Sequence, residues 1–345
     1  MTKVFVFGYP GELGGANTEC WHTLRLWRQF HLDVHLIPTW SVDTAWRERL
    51  DRLHCVTHVI HPDRIADVPG LPGSITVGFC NREYVALWPK LKELDCKIVW
   101  VNCMTFLFEI EKRYFSRYGP VDAMIYQSEF QRHEIESEML PYGYDPATGH
   151  LIRGAFDWKE WKYQPRPHEP GTPFVVGRAA RPDLDKWSEK TWSLYSAIDY
   201  PVKEAVVLGA DHRTLRKLGA PPPWVRCLPP MSIPVERFLA GLHCYLTMNG
   251  SARENWPRVG LEALAAGVPV VAENKWGWRE MIDHGVTGFL GEDQEELAHN
   301  ASLLARDEEL RREITHAARA KLIHELACPE KLWDQWQSVF RKFEP

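Results

Sequence analysis

Two carboxylates separated by seven residues, Glu254 and Glu262, have the surroundings that most demand a chemical role. They lie in Asn249–Glu273 (NGSARENWPRVGLEALAAGVPVVAE). Glu254 falls in a polar loop that follows the apolar run HCYLTM, and Glu262 sits in a helical stretch, 259–266, that is apolar on nearly every face. A carboxylate placed there needs hydrogen-bond donors or a cation. Arg258, one turn earlier, supplies the plain structural answer as an i,i+4 partner, with Glu254 simply solvated. The second answer is a ligand, because backbone N–H groups at Asn255, Trp256 and Arg258 would point out of a helix start and favour an anion. Pro257 is expected at the first helical position, Gly267 as a left-handed cap, and 268–272 as a buried strand.

A second group is basic. Behind the strand-like FVVG comes a loop carrying Arg178, Arg181 and Lys186. Such a loop either holds phosphate or is merely solvated. A third group opens the chain, where KVFVFG runs into YPGELGGANTE and a helix from about residue 16. Gly14 and Gly15 let backbone approach a ligand closely, although a tight turn explains them equally well. The dinucleotide pattern G-x-G-x-x-G is absent. With Glu12 and Asn17 beside them, these glycines belong to the rim at the carboxyl ends of the strands, where ligands of open α/β sheets bind.

The elements that must position these groups alternate. Strands are expected at 3–8, 33–38, 54–60, 75–79, 97–103, 122–128 and 150–153, with helices between them, notably 106–117 and 129–139. A polar, Pro-rich stretch, DWKEWKYQPRPHEPGTP, reads as a linker over 157–173. It separates an acceptor-side domain, 1–156, from a second α/β domain, 174–326. A last helix within 327–345 carries Trp333, Trp336 and Phe340 as one aromatic stripe. The rim of the first domain then gathers Gly8–Asn17, Thr39–Trp40, Cys80–Arg82, Asn102–Thr105 and Ser128.

The composition is that of a globular protein of two ordinary domains: 345 residues, 45% hydrophobic and 25% charged. A net charge of -5 gives no global electrostatic case for nucleic acid. Eight scattered Cys without C-x-x-C suit reduced, buried thiols in a cytoplasmic protein. The first apolar run is too short for a signal peptide, and no run approaches membrane-spanning length. Sixteen Trp suggest aromatic surfaces beyond what a core needs.

The string Glu254, seven residues, Glu262, Ala-Leu-Ala-Ala-Gly-Val-Pro-Val-Val resembles the donor-site signature of family 4 retaining glycosyltransferases of the two-domain GT-B fold. The resemblance implies two Rossmann-like domains facing a cleft, with the last helix crossing back onto the first domain. It implies transfer of a hexosyl-type group from a UDP- or GDP-sugar to a hydroxyl, with anomeric configuration retained and no metal required. Glu254 would contact the donor sugar and Glu262 the ribose hydroxyls. Arg181 and Lys186 would hold the diphosphate as it leaves, with Arg178 on the donor side or behind it. Gly14 and Gly15 would face the donor phosphates. Many relatives carry a His at the end of the strand matching 97–103. This chain has Asn102 to Thr105 there, so Asn102 and Thr105 are acceptor-side candidates that cannot act as bases, and His22, His58 and His61 are alternatives. Trp256 and Pro257 also depart from relatives, which places the sugar's identity in question. The acceptor class stays open among glycan, small molecule and hydroxymethylated pyrimidines of phage-type DNA. A sugar-nucleotide-binding protein without transferase activity is the reading from another class.

Overall fold

The computed structural model describes residues 2–11 and 14–344, and these divide into two compact units. Unit 1 comprises the residues up to Asp157 together with those from Ala327 on; unit 2 is Trp158–Leu326.

Unit 1 is a seven-stranded parallel sheet: β1 (Lys3–Phe7), β2 (Asp33–Ile37), β3 (Val56–Thr57), β4 (Ile75–Phe79), β5 (Lys97–Val101), β6 (Ala123–Tyr126) and β7 (Gly149–Leu151), in the order 3-2-1-4-5-6-7. Its helices are α1 (Gly15–Gln29), α2 (Thr44–Arg52), α3 (Arg82–Glu93), α4 (Glu109–Tyr118) and α5 (Glu129–Met139). Unit 2 is a six-stranded parallel sheet: β8 (Phe174–Ala179), β9 (Lys203–Leu208), β10 (Val225–Leu228), β11 (Cys244–Leu246), β12 (Val270–Glu273) and β13 (Phe289–Gly291), in the order 10-9-8-11-12-13. Its helices are α6 (Thr191–Ser196), α7 (His212–Leu218), α8 (Val235–Ala240), α9 (Arg258–Ala266), α10 (Trp276–Met281), α11 (Gln294–Arg306) and α12 (Glu308–Lys321). A last helix, α13 (Pro329–Arg341), belongs to unit 1.

Both sheets are doubly wound and Rossmann-like, as the alternating pattern implies. The central strands are Val-, Ile- and Phe-rich because helices cover both of their faces. Asp43, Asn81, Ser128, Asp211 and Asp293 each accept first-turn backbone N–H groups, which fixes where helices α2, α3, α5, α7 and α11 begin. The stripe on α13 packs within unit 1. Trp336 meets Trp27 edge-on at 4.9 Å and Trp333 stacks on Phe30 at 5.2 Å, so the last helix completes the core against α1.

Several strands end one to three residues away from the sequence expectation, and three boundaries differ for a local reason. The run 54–60 keeps only Val56–Thr57 as strand, since it is a short edge partner of β2. Helix α4 starts at Glu109 rather than 106, because the Glu111 carboxylate folds back to accept from the Phe108 N–H. Pro257 is the N-cap of α9 and not its first helical residue, while Gly267 closes that helix at φ 85°.

In each sheet the strand order reverses at one place, between β1 and β4 in unit 1 and between β8 and β11 in unit 2. The carboxyl ends of those strands are where an open α/β sheet leaves a crevice for ligands.

Candidate active site

The crevice of unit 2 is organised by Arg178, at the end of β8. It is 2% exposed, and its guanidinium donates to Met248 O at 2.6 Å, Lys186 O at 2.7 Å and Asn249 Oδ1 at 3.1 Å. Its face lies 4.7 Å from the Trp187 ring. Arg178 therefore ties the loop after β8 to the loop after β11. Of the two places expected for Arg178, on the donor side or behind it, a buried guanidinium bonded to three oxygens fits the second: it positions other groups.

What it positions is the pair Lys186 and Glu254. Lys186 Nζ lies 2.8 Å from both carboxylate oxygens, and the two side chains are 21% and 17% exposed. Asn249 Nδ2 donates to Glu254 Oε1 at 3.0 Å, and the Asn249 N–H donates to Glu273 Oε2 at 2.8 Å. Glu273 in turn faces Lys275 Nζ at 3.2 Å. Lys186, Glu254, Asn249, Glu273 and Lys275 thus form one charged chain across the ends of β11 and β12, passing through the Asn249 backbone N–H. Asn249, Glu273 and Lys275 escaped the sequence reading. The signal for them was Glu273 itself, a charged residue closing a buried strand.

Arg181 stands apart. It is 64% exposed and pairs with Asp183 at 3.1 Å, so the structure does not bring it to the Lys186–Glu254 pair. Asn255 and Trp256 are buried and Arg258 is half-buried. Their backbone is held by α10, because the Gly277 N–H donates to Glu254 O at 2.9 Å. A Cβ on Gly277 would fall 1.6 Å from Asn255 O, so only glycine allows this approach.

Glu262 lies on α9, half-buried. Burial pushes its carboxyl up to about 7, against the pull of the Arg258 guanidinium, and Glu236 adds to the rise. Among the described residues it accepts no hydrogen bond. The i,i+4 neighbour therefore supplies charge without a contact, and both carboxylate oxygens retain capacity for outside donors such as hydroxyls.

The rim of unit 1 is different. Gly14 (φ 93°) caps α1, accepting Thr18 N–H at 3.1 Å, and Gly15 is its first residue. Asn17 is half-buried, and Glu12 lies outside the described residues. Asn102 is fully buried: its Oδ1 accepts from Met104 N at 2.6 Å and its Nδ2 faces Glu111 Oε1 at 3.3 Å. Thr105 is buried at 6% exposure. Both acceptor-side candidates are thus buried side chains in this structure. His22 accepts the Asp157 N–H at 3.0 Å and packs on Phe156, His58 bonds His35 at 2.7 Å, and His61 caps a turn. The sequence reading passed over Glu19, a carboxylate in the buried stripe of α1 that accepts from Gln127 Nε2. Beside it, contact with the Cys103 thiol holds the Cys80 thiol below its ordinary pKa. Among the described residues no group of three or more His, Cys, Asp or Glu is placed to hold a metal ion. No helix among them is long and apolar enough to cross a membrane.

Chemically, unit 2 offers a cation fixed against a carboxylate and, on the next helix, a carboxylate without donors. That combination suits a ligand bearing both anionic and hydroxyl groups.

Residues 235–321 match the family described as glycosyl transferases group 1. The stretch runs from α8 through α12 and contains Glu254 and Glu262. The chain is 37% identical over 92 residues to an N-acetyl-alpha-D-glucosaminyl L-malate synthase of Bacillus anthracis, covering 26% of this chain and 24% of that protein. It is 31% identical over 93 residues to the capsular polysaccharide biosynthesis glycosyltransferase CapM of Staphylococcus aureus, again covering 26% and 24%. The match thus spans about a quarter of the length of these relatives. In structure the chain is similar to HepE of Anabaena, solved with UDP-glucose, at TM-score 0.73 and 18% identity over 99% of both chains. It is similar to TarM, with TM-score 0.76 and 10% identity over 99% of both chains.

Proposed function

We propose that this chain, which has the GT-B fold and a group 1 glycosyl transferase segment over 235–321, moves a glycosyl group from a nucleoside-diphosphate sugar to a hydroxyl acceptor. The observation that carries the reading is the Lys186–Glu254 pair at the strand-order reversal of unit 2, with the donor-free carboxylate of Glu262 on the helix that follows. The similar fold of HepE, solved with UDP-glucose, supports a nucleotide sugar as the donor.

In this reading the diphosphate competes with Glu254 for Lys186, and the exposed Arg181 leaves Asp183 to add a second cation. Glu254 accepts from hydroxyls of the donor sugar, and Glu262 from the two ribose hydroxyls. The backbone at Asn255, Trp256 and Arg258 completes the donor contacts within unit 2. As the sugar C1–O(phosphate) bond breaks, negative charge grows on the leaving oxygen, and a preorganised cation there lowers the barrier by about 3 kcal/mol. The acceptor oxygen bonds to C1 on the face the diphosphate leaves, and its proton passes to a phosphate oxygen. Configuration is retained, and the protein supplies no base. Since side-chain cations carry the stabilising charge, the reaction needs no metal.

Thermal unfolding with UDP-, GDP- and ADP-sugars in the presence of EDTA tests this. A ligand at about 100 times its Kd stabilises by about 2.7 kcal/mol. One nucleotide class is expected to raise the melting temperature by several degrees. No shift with any of them would sink the reading.

A further inference from the structure

Six residues other than glycine adopt positive φ among the described residues: His31, His54, Cys80, Asp95, Met231 and Trp276. His31, His54 and Asp95 each follow the C-cap of a helix, where a left-handed residue satisfies the last carbonyls. Met231 lies in a turn closed by the Ser232 N–H on Pro229 O. Cys80 and Trp276 have no such excuse. Cys80 stands between the carboxyl end of β4 and the start of α3, and Trp276 is the first residue of α10, just past the carboxyl end of β12. A bulky aromatic at φ 54° is strained, and strain of this kind persists at ligand clamps because the surroundings hold it there.

Trp276 also stands at the end of the charged chain. Its neighbour Gly277 is pinned to the Glu254–Asn255 backbone, and its other neighbour, Lys275, joins the chain through Glu273. The Trp276 ring is half-buried, and its ring contact among the described residues is Lys275 Nζ, 5.8 Å from the centroid. The packing duty of this helix falls to Trp278, which is 2% exposed and meets Tyr245 at 6.3 Å. Core packing thus leaves the Trp276 ring unexplained, and its backbone conformation would suit glycine better.

We propose that Trp276 is a specificity-determining residue for the sugar of the donor. Its ring forms an apolar wall at the Lys275 end of the charged chain against which the C–H face of a pyranose lies, while Glu254 and Lys275 take hydroxyls at the sugar's edge. An amphipathic aromatic with one open face is suited to that contact. The inference rests on the donor reading above, and it separates two parts of the ligand: the sugar meets Trp276, while the nucleoside diphosphate does not.

Calorimetric titration of the wild type, Trp276→Gly, Trp276→Asn and Trp276→Phe with UDP-glucose, UDP-N-acetylglucosamine and GDP-mannose tests it, each beside free UDP or GDP. Gly and Asn tolerate positive φ, so both variants keep the fold and melt no lower than the wild type. For both, Kd for the nucleotide sugar rises by about tenfold, while Kd for the free diphosphate moves less than about twofold. Trp276→Phe keeps most of the sugar affinity. Equal changes for sugar and diphosphate, or none, would overturn the role of Trp276 and leave the donor reading standing. A wild type that binds none of these ligands overturns both.

Discussion

Glu111 in unit 1 and Glu262 in unit 2 share a perturbation. Burial pushes each carboxyl up to about 7. Their partners differ. Glu111 is fully buried and accepts from Trp100 Nε1 at 2.7 Å, from the Phe108 N–H at 2.5 Å and from Asn102 Nδ2 at 3.3 Å. Glu262 accepts nothing among the described residues. Glu111 therefore does local structural work: it fixes the start of α4 and locks Asn102 inside. Glu262 keeps its acceptor capacity for something outside the chain. A raised pKa records desolvation in both cases and does not separate a structural acid from a binding one. Unmet hydrogen-bonding capacity does.

The sharpest way to break this comparison is to remove the groups assigned to the ligand. Lys186→Ala and Glu262→Ala are each expected to lower turnover at least about 100-fold, equivalent to roughly 2.7 kcal/mol of transition-state stabilisation, while the fold survives. For Lys186 the loss lies in kcat, since the cation acts on the leaving group. For Glu262 it appears first as weaker donor binding. Near-native kcat/KM in both variants would mean that the unit 2 crevice is not the donor site.

Removing Glu111 is expected to do the opposite. Glu111→Ala strips an acceptor from three donors, two of them buried, and urea unfolding should show a loss of about 2–4 kcal/mol. Glu262→Ala under the same conditions should cost less than about 1 kcal/mol, because no hydrogen bond is lost. Equal losses would place Glu262 in the structural class.

Much of the fold was legible because the sequence repeats one solution. Val- and Ile-rich runs separated by helical periods read as parallel strands, and the aromatic stripe of α13 found Trp27 and Phe30 as its partners. The Glu254–Glu262 spacing was legible as a signature, since its strand, small-residue helix and Gly cap all lie within one stretch. Arg178 was legible only as one of three cations in its loop, on the donor side or behind it. Its side chain closes on Met248 O and Asn249 Oδ1, about 70 residues away, and nothing local to the RAARPD loop announces that it turns inward. The burial of Asn102 was hidden for a related reason. A polar residue at a strand's carboxyl end looks open to substrate until the Glu111 cap folds over it. Charge and position are written locally, whereas the direction a side chain faces is settled by partners far along the chain.

The smallest predicted effect concerns pH, and its sign follows from the direction of the shift. Glu262 has an ordinary value near 4.5 and a folded value of about 7, so between those pH values the folded chain holds a proton that the unfolded chain has released. Stability then falls as pH rises through that window, and below pH 4.5 the group contributes no difference. Glu262→Gln is neutral at every pH and escapes the loss. With allowance for its partial exposure, the variant should gain about 1–2 kcal/mol at pH 8 and nothing near pH 4, a difference of roughly 2–6 °C in melting temperature. Glu111→Gln shares the titration argument but fails on geometry. One of its oxygens becomes an NH2 group that meets a donor where the carboxylate accepted, so it should melt lower than the wild type at both pH values. If the Glu262→Gln gain does not change with pH, the carboxyl ionises as readily in the fold as in water. Burial would then not set its chemistry, and the contrast with Glu111 would rest on hydrogen bonds alone.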